Sequence, residues 1–420
     1  MTEKTKVRIN RFSRFIIIIT SIIGLTAIIT EYGFHVSKDD AVILHYVAIA
    51  VVLIFIIYQI MQLFIAENKI EHIKSHKIEF LIILFISIET VLLVLGYSLI
   101  KKLGTALHLK DIAFLYIVFA QIYIIIGLIA GGLRYNKKIL QFKIHPSRLF
   151  VLSFVFLIII GTLLLLLPAS TVNGHISFFD ALFTSTSAVC VTGLITVDTA
   201  TYFSRFGQIV IMLLFQIGGL GLMTFTTFFT LFLAGGLGIK ERIILNDLMN
   251  EENVGAITKV LAYLTIITII IESIGALILF QSIASNHNNL QEAIFNSIFH
   301  SISAFCNAGF SIFSLNLMDP LVKSNYLFTT TISVLIILGG IGFPTIMGIL
   351  NIKSLKSIFG KFKFKVTLQI RLILYTTLIL IIAGTAFTFL LEYNNSLALL
   401  NFWEKIYAAY FQSVSSRTAG

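Results

Sequence analysis

Three short stretches carry residues suited to coordination chemistry. The first is Phe183-Thr184-Ser185-Thr186-Ser187-Ala188-Val189-Cys190-Val191-Thr192-Gly193, too polar to cross a bilayer and too apolar for an ordinary surface loop. It returns as Phe299-His300-Ser301-Ile302-Ser303-Ala304-Phe305-Cys306-Asn307-Ala308-Gly309 and as Phe411-Gln412-Ser413-Val414-Ser415-Ser416-Arg417-Thr418-Ala419-Gly420. All open with Phe-x-Ser-x-Ser and end on glycine, the third being one residue shorter. A cation that leaves water needs replacement oxygens, and rings of backbone carbonyls supply them without holding the ion too tightly to leave. Pointing successive carbonyls inward demands unusual dihedrals, which glycine reaches at little cost. The oxygens are therefore expected from Val191, Thr192 and Gly193, from Asn307, Ala308 and Gly309, and from Thr418, Ala419 and Gly420. The hydroxyls before them suit a second task, holding a short helix whose C-terminal end directs negative partial charge at the ion. A blander reading makes the stretches caps of short interfacial helices; three copies on one side count against it.

The elements that must position these stretches follow from composition. A chain of 420 residues that is 57% hydrophobic and 12% charged has no room to bury its apolar surface except in lipid. The formal charge of +10 then sets orientation and is no sign of nucleic-acid binding. Apolar runs long enough to span occur near 15–30, 41–66, 80–100, 112–133, 149–167, 206–234, 260–282, 326–350 and 368–392. With a cytoplasmic N-terminus, the inner segments hold 22 of the 30 Lys and Arg residues, the bias of the positive-inside rule. The cluster Lys101, Lys102 and Lys110 runs against it. This parity places all three stretches on the outer side, each entering and leaving from there. Irregular backbone at membrane depth is tolerated where protein buries it or a watery cavity faces it, so each is expected to be a re-entrant pore loop.

The repeat extends beyond the loops. The terminal glycines lie 116 and 111 residues apart, at 193, 309 and 420. Gln216-Ile217-Gly218-Gly219-Leu220-Gly221 follows the first stretch, and Ile337-Leu338-Gly339-Gly340-Ile341-Gly342 follows the second. Inside apolar spans such glycines indicate close packing or a kink, not a nucleotide loop. The expected organisation is a four-helix transmembrane module over 1–147, pore units over 148–259 and 260–366, and an incomplete third over 367–420. Repeats of this length imply units arranged about an axis. The fold class is an all-α polytopic membrane protein.

Other polar residues read less sharply. Glu89 and Gln121 lie in apolar surroundings of the first module, where hydrogen bonding between helices is favoured over a functional role. Glu272 sits within a span, as a structural hydrogen-bond partner or paired with a group of another pore unit. His300 reads as packing of the short helix, since no second His stands at ligand spacing. Cys190 and Cys306 match in two repeats and read as small buried thiols. Arg417 either sets the local field or pairs with a carboxylate. The N-terminal basic stretch leads into an apolar run without a small-x-small cleavage site, and is expected to be a first spanning helix. A polytopic enzyme is the alternative of another class, but no His-rich or paired-carboxylate cluster stands near the loops.

Thr186–Leu194, Ser303–Phe310, Arg417–Gly420 and the two Gly-Gly-x-Gly helices resemble the Trk/Ktr/HKT superfamily of potassium transporters, specifically the bacterial TrkH/KtrB-type membrane subunit. The resemblance covers roughly residues 148–420. It implies a pseudo-fourfold ring of helix–loop–helix units around a central pore, in a homodimer in the bacterial cytoplasmic membrane. It also implies potassium as the transported ion, no organic cofactor, no catalytic residue and a cytoplasmic RCK-type nucleotide-binding partner. In plant relatives, serine at the first filter glycine accompanies sodium selectivity; Gly193 here favours potassium, a less selective or sodium-conducting member being the alternative. The family's gate lies after the third filter, so a truncated sequence without a fourth unit is expected.

Overall fold

A computed structural model describes residues 146–234, 254–284, 289–320, 322, 325–343, 345, 346 and 368–419, with scattered helical positions between 16 and 63. The chain divides into two compact units, Met1–Pro146 and Ser147–Gly420. The expected spans at 80–100 and 112–133, with Glu89 and Gln121, lie outside the described residues, as do Gly420 and most of the basic inner segments.

Within the second unit the helices run α1 (Pro146–Leu165), α2 (Phe178–Val189), α3 (Arg205–Ala234), α4 (Val254–Ile283), α5 (Leu290–Cys306), α6 (Tyr326–Gly340), α7 (Leu368–Glu392) and α8 (Phe402–Thr418). Among the described residues there is no strand, only an isolated bridge between Thr171 and Phe203. Segments within α3, α4 and α7 are long and apolar enough to cross a membrane. Their outer faces expose runs of aliphatic side chains, among them Ile269, Ile270, Ile274 and Leu277 on α4 and Leu378, Ile379 and Ile382 on α7. In water such patches would drive association; in hydrocarbon they lie at rest.

The three short helices start alike. Ser177 accepts from the Asp180 N–H (3.1 Å) and Asn289 from the Gln291 N–H (3.0 Å), while the Asn401 N–H donates to Glu404 (2.9 Å). Each carries an acid in its first turn, where the helix dipole favours one. They pack in one pattern too. α5 lies against α4, α6 and the preceding α3; α8 lies against α7 and the preceding α6.

One expected span is broken. The run at 326–350 is helical to Gly340, then turns through Gly342 at φ +79°. α3 meanwhile continues through its own Gly-Gly-x-Gly to Ala234. A proline two residues beyond the last glycine of the second copy makes the difference: Pro344 has no N–H to donate back to the Gly340 carbonyl, so the hydrogen-bond ladder of α6 cannot run on through it.

Candidate ion-conduction site

The Phe-x-Ser serine holds each short helix in the same way. Ser185, Ser301 and Ser413 donate to the carbonyls of Ile158, Glu272 and Ile381, at 2.8, 2.7 and 2.9 Å. Three residues beyond each acceptor stands a glycine, Gly161, Gly275 or Gly384, where a β-carbon would strike that serine hydroxyl. Sequence reasoning assigned the hydroxyls a clamping role but missed these glycines. The available signal was a single glycine inside each of these three apolar runs.

The first two stretches leave their helices through one motif. In the first, the Val191 N–H donates to Ala188 (3.1 Å) and the Thr192 N–H to Ser187 (2.8 Å). In the second, Asn307 donates to Ala304 (3.1 Å) and Ala308 to Ser303 (2.8 Å). These paired bonds form a Schellman ending, whose pivot residue must be left-handed. Val191 has φ 56° and Asn307 φ 58°; two residues on, Gly193 has φ 79° and Gly309 φ 73°. The third stretch behaves differently. α8 remains helical to Thr418 and the Ala419 N–H still donates to Ser415 (2.9 Å).

Asparagine tolerates the left-handed region and a β-branched side chain does not. Replacing Val191 by Asn, the residue at the matching place in the second stretch, is expected to stabilise the purified protein by about 1 kcal/mol. Thermal unfolding in detergent reads this; a lower midpoint would mean that Val191's packing outweighs its strain.

The strand ends meet. A β-carbon on Gly193 would lie 2.7 Å from the Ala308 carbonyl oxygen and 3.0 Å from the Gly309 Cα. One on Gly309 would lie 2.5 Å from the Ala419 carbonyl oxygen and 3.2 Å from the Gly193 Cα. Each glycine thus abuts the carbonyl one place before the glycine position of the next stretch. Six of the nine expected oxygen-bearing residues, Gly193, Asn307, Ala308, Gly309, Thr418 and Ala419, share these contacts or the Asn307 links below. Val191 and Thr192 lead into Gly193, and Thr418 leads into Ala419. Asn307 ties two stretches together. With its amide oxygen facing the Gly340 N–H (3.1 Å), its nitrogen donates to the Ile336 carbonyl (3.1 Å) and the Thr418 hydroxyl (2.8 Å).

The Gly-Gly pairs form the walls between stretches. A β-carbon on Gly218 would strike the Val189 carbonyl, and one on Gly339 the matching Phe305 carbonyl, each at the end of its own unit's short helix. The second glycine faces the next unit: Gly219 meets Cys306 Sγ, and Gly340 meets Arg417 Nη2, with β-carbon distances of 2.8 and 2.9 Å. Two small residues in succession therefore let one helix touch two neighbours.

The remaining polar residues fall into place beside these contacts. His300 is buried, its Nδ1 2.7 Å from the Asn296 carbonyl and its Nε2 3.0 Å from Ser311 Oγ, with its ring stacked on Phe313. That is the packing role expected of it. Both cysteines are free, but Cys306 is buried and Cys190 exposed, against the expectation of two buried thiols. Cys306 is covered by the preceding unit's α3, whereas α2 belongs to the first unit and has no such neighbour among the described residues. Arg417 buries Nε and Nη2 without a hydrogen-bond acceptor among the described residues. Arg205 lies over the Phe295 ring, 3.9 Å from its centroid, tying α3 to α5. No group of three His, Cys, Asp or Glu residues placed to hold a metal ion occurs among the described residues.

Long apolar helices that enclose short buried ones, repeated along one chain, define an all-helical membrane protein of the transport class. The TrkH family, described as "Cation transport protein", matches residues 117–420, and the chain belongs to it. It is 39% identical over 294 residues to Ktr system potassium uptake protein B of Bacillus subtilis, covering 69% of this chain and 62% of that protein. It is 36% identical over 287 residues to potassium/sodium uptake protein NtpJ of Enterococcus hirae, covering 68% and 61%. The fold matches the potassium transporter TrkH from Vibrio parahaemolyticus with a TM-score of 0.50 at 17% identity, over 82% of this chain and 64% of that one. The chain therefore spans about three-fifths of the length of the curated relatives it matches.

Proposed function

We propose that this chain belongs to the ion-translocating subunit of a Trk/Ktr-type system and takes potassium into the cell through a carbonyl-lined selectivity filter. The carrying observation is the meeting of Gly193 and Gly309 with the carbonyls of Ala308 and Ala419 between them. Carbonyl dipoles at such a junction replace the hydration shell of a cation. The three stretches are consecutive quadrants of a pseudo-fourfold pore, each hung by its serine and walled by Gly-Gly pairs. The filter comprises Val191 to Gly193, Asn307 to Gly309 and Thr418 to Gly420. The protein works as a homodimer in the bacterial cytoplasmic membrane, its N-terminus inside, beneath the control of a cytoplasmic RCK-type nucleotide-binding partner. It has no enzymatic reaction to perform.

The similarity to a potassium/sodium uptake protein favours one second reading, a filter that also passes sodium. Rubidium and sodium uptake by the full-length protein, expressed in cells deprived of their own potassium uptake, decides between them. Rubidium uptake well above sodium uptake is expected; equal fluxes would establish the sodium-passing reading, and no uptake of either would overturn both.

A further inference from the structure

We infer that Glu272 is a positioning residue for the second filter strand and so determines ion discrimination. This rests on the proposed potassium-filter reading. Glu272 lies in the middle of α4 and is 6% exposed. Its Oε2 accepts from Gln216 Nε2 at 3.0 Å, an amide carried by α3 of the preceding unit. The Cys306 thiol lies 3.8 Å from its Oε1 and 3.5 Å from Gln216 Oε1, within reach of a weak sulfur donor. Cys306 is the last helical residue of α5, immediately before the left-handed Asn307. The main-chain carbonyl of Glu272 holds the same helix through Ser301 at 2.7 Å. One residue therefore grips α5 twice, and its second grip falls where helix becomes filter strand.

The repeat supplies an internal control. The positions that match Glu272, three before the serine-contacting glycines, are Ile158 and Ile381, and the position that matches Gln216 is Ile337. Isoleucine thus satisfies the packing requirement in this place, while a carboxyl group at bilayer depth is costly and is retained only where partners hold it. Among the described residues the polar triad of Gln216, Glu272 and Cys306 stands only where the first and second pore units meet. It locks Asn307, whose side chain also reaches Thr418 in the third stretch. Loosening Cys306 would let Asn307 turn, and two adjacent filter strands would lose their register together.

The test uses the full-length protein and the rubidium-to-sodium uptake ratio. A merely structural role lowers the amount of folded protein and scales both fluxes alike, leaving the ratio unmoved. Glu272→Ile, which installs the side chain of the sister units, is expected to lower the ratio about tenfold, the size of effect seen when outer-shell supports of an ion site are removed. Glu272→Gln keeps an acceptor oxygen for the thiol and an amide partner for Gln216, and is expected to restore most of the ratio. Should Glu272→Ile not fold, Gln216→Leu and Cys306→Ala each remove one arm of the triad and are expected to lower the ratio less. An unchanged ratio in Glu272→Ile, or in both arm variants, overturns the inference while leaving the filter reading standing. A Gln variant as impaired as the Ile variant overturns the hydrogen-bonded positioning. Absence of cation uptake by the unsubstituted protein overturns the filter reading and this inference with it.

Discussion

Full-length protein carrying Gly193→Ser is expected to pass sodium nearly as readily as rubidium. Two effects act together at this residue. Its φ of 79° lies in the left-handed region, where an ordinary side chain costs about 1–2 kcal/mol. In addition, a β-carbon there would stand 2.7 Å from the Ala308 carbonyl oxygen and 3.0 Å from the Gly309 Cα, and neither is a side-chain tip that can swing aside. The strand must retreat or the Ala308 carbonyl must rotate, and either change spoils the set of oxygens proposed to replace water around the ion. Selectivity depends on small differences in dehydration energy, about 1.4 kcal/mol for each factor of ten. A shift of the size just named is therefore enough to erase it. Comparative rubidium and sodium uptake is the measurement, and a ratio equal to that of the unsubstituted protein would refute the placing of Gly193 in the filter.

Gly339→Ala is expected to be the most damaging single methyl group in the second unit. A β-carbon at 339 would drive into the Phe305 carbonyl and lie 2.6 Å from the Asn307 amide. It would therefore part α6 from the end of α5 at the point where the proposed filter strand begins. Overpacking of this kind costs about 1–3 kcal/mol. Gly221→Ala is the matched control. There the nearest atom is a ring carbon of Phe154 at 3.4 Å, ordinary van der Waals distance. Replacing a mid-helix glycine by alanine recovers about 0.5–1 kcal/mol of backbone entropy when nothing clashes. Thermal unfolding of the purified protein in detergent is expected to fall for Gly339→Ala and to hold or rise for Gly221→Ala. Equal midpoints would show that α6 yields more easily than its backbone contact implies.

The two halves of the Gly-Gly pair also show how far a pattern on paper reaches. Their spacing was visible in the sequence, and so was their setting within apolar spans, which together read as close packing or a kink. Both outcomes occur, in different copies: α3 packs and continues, whereas α6 packs and then breaks at Gly342. Pro344 separates the two cases, a local signal available before any coordinates. That one glycine faces its own unit and the next faces its neighbour was not available, because it depends on where the neighbouring helix end stands.

Glu272 makes the same point for polar groups. Its depth in an apolar run marked it as costly, and a partner in another pore unit was one of two readings. The identity of that partner, Gln216, lies 56 residues away in the chain and leaves no periodic trace. Likewise the matched cysteines look equivalent along the chain, yet one is buried and one exposed, because burial depends on whether a preceding helix covers the site.

Length, hydropathy and repetition were thus sufficient for the membrane setting, the helical units and the location of the glycine-ended stretches. These properties are local or periodic: apolar length answers the thickness of the bilayer, and a repeated stretch declares itself wherever it falls. The left-handed pivot at Val191, the serine grips on three carbonyls and the meeting of Gly193 with Ala308 arose only on folding. The serine grips join atoms 27, 29 and 32 residues apart, and Gly193 meets Ala308 from a different stretch. Chain order carries no record of the distance between such atoms, and a β-branched residue at 191 gives no sign of a left-handed pivot.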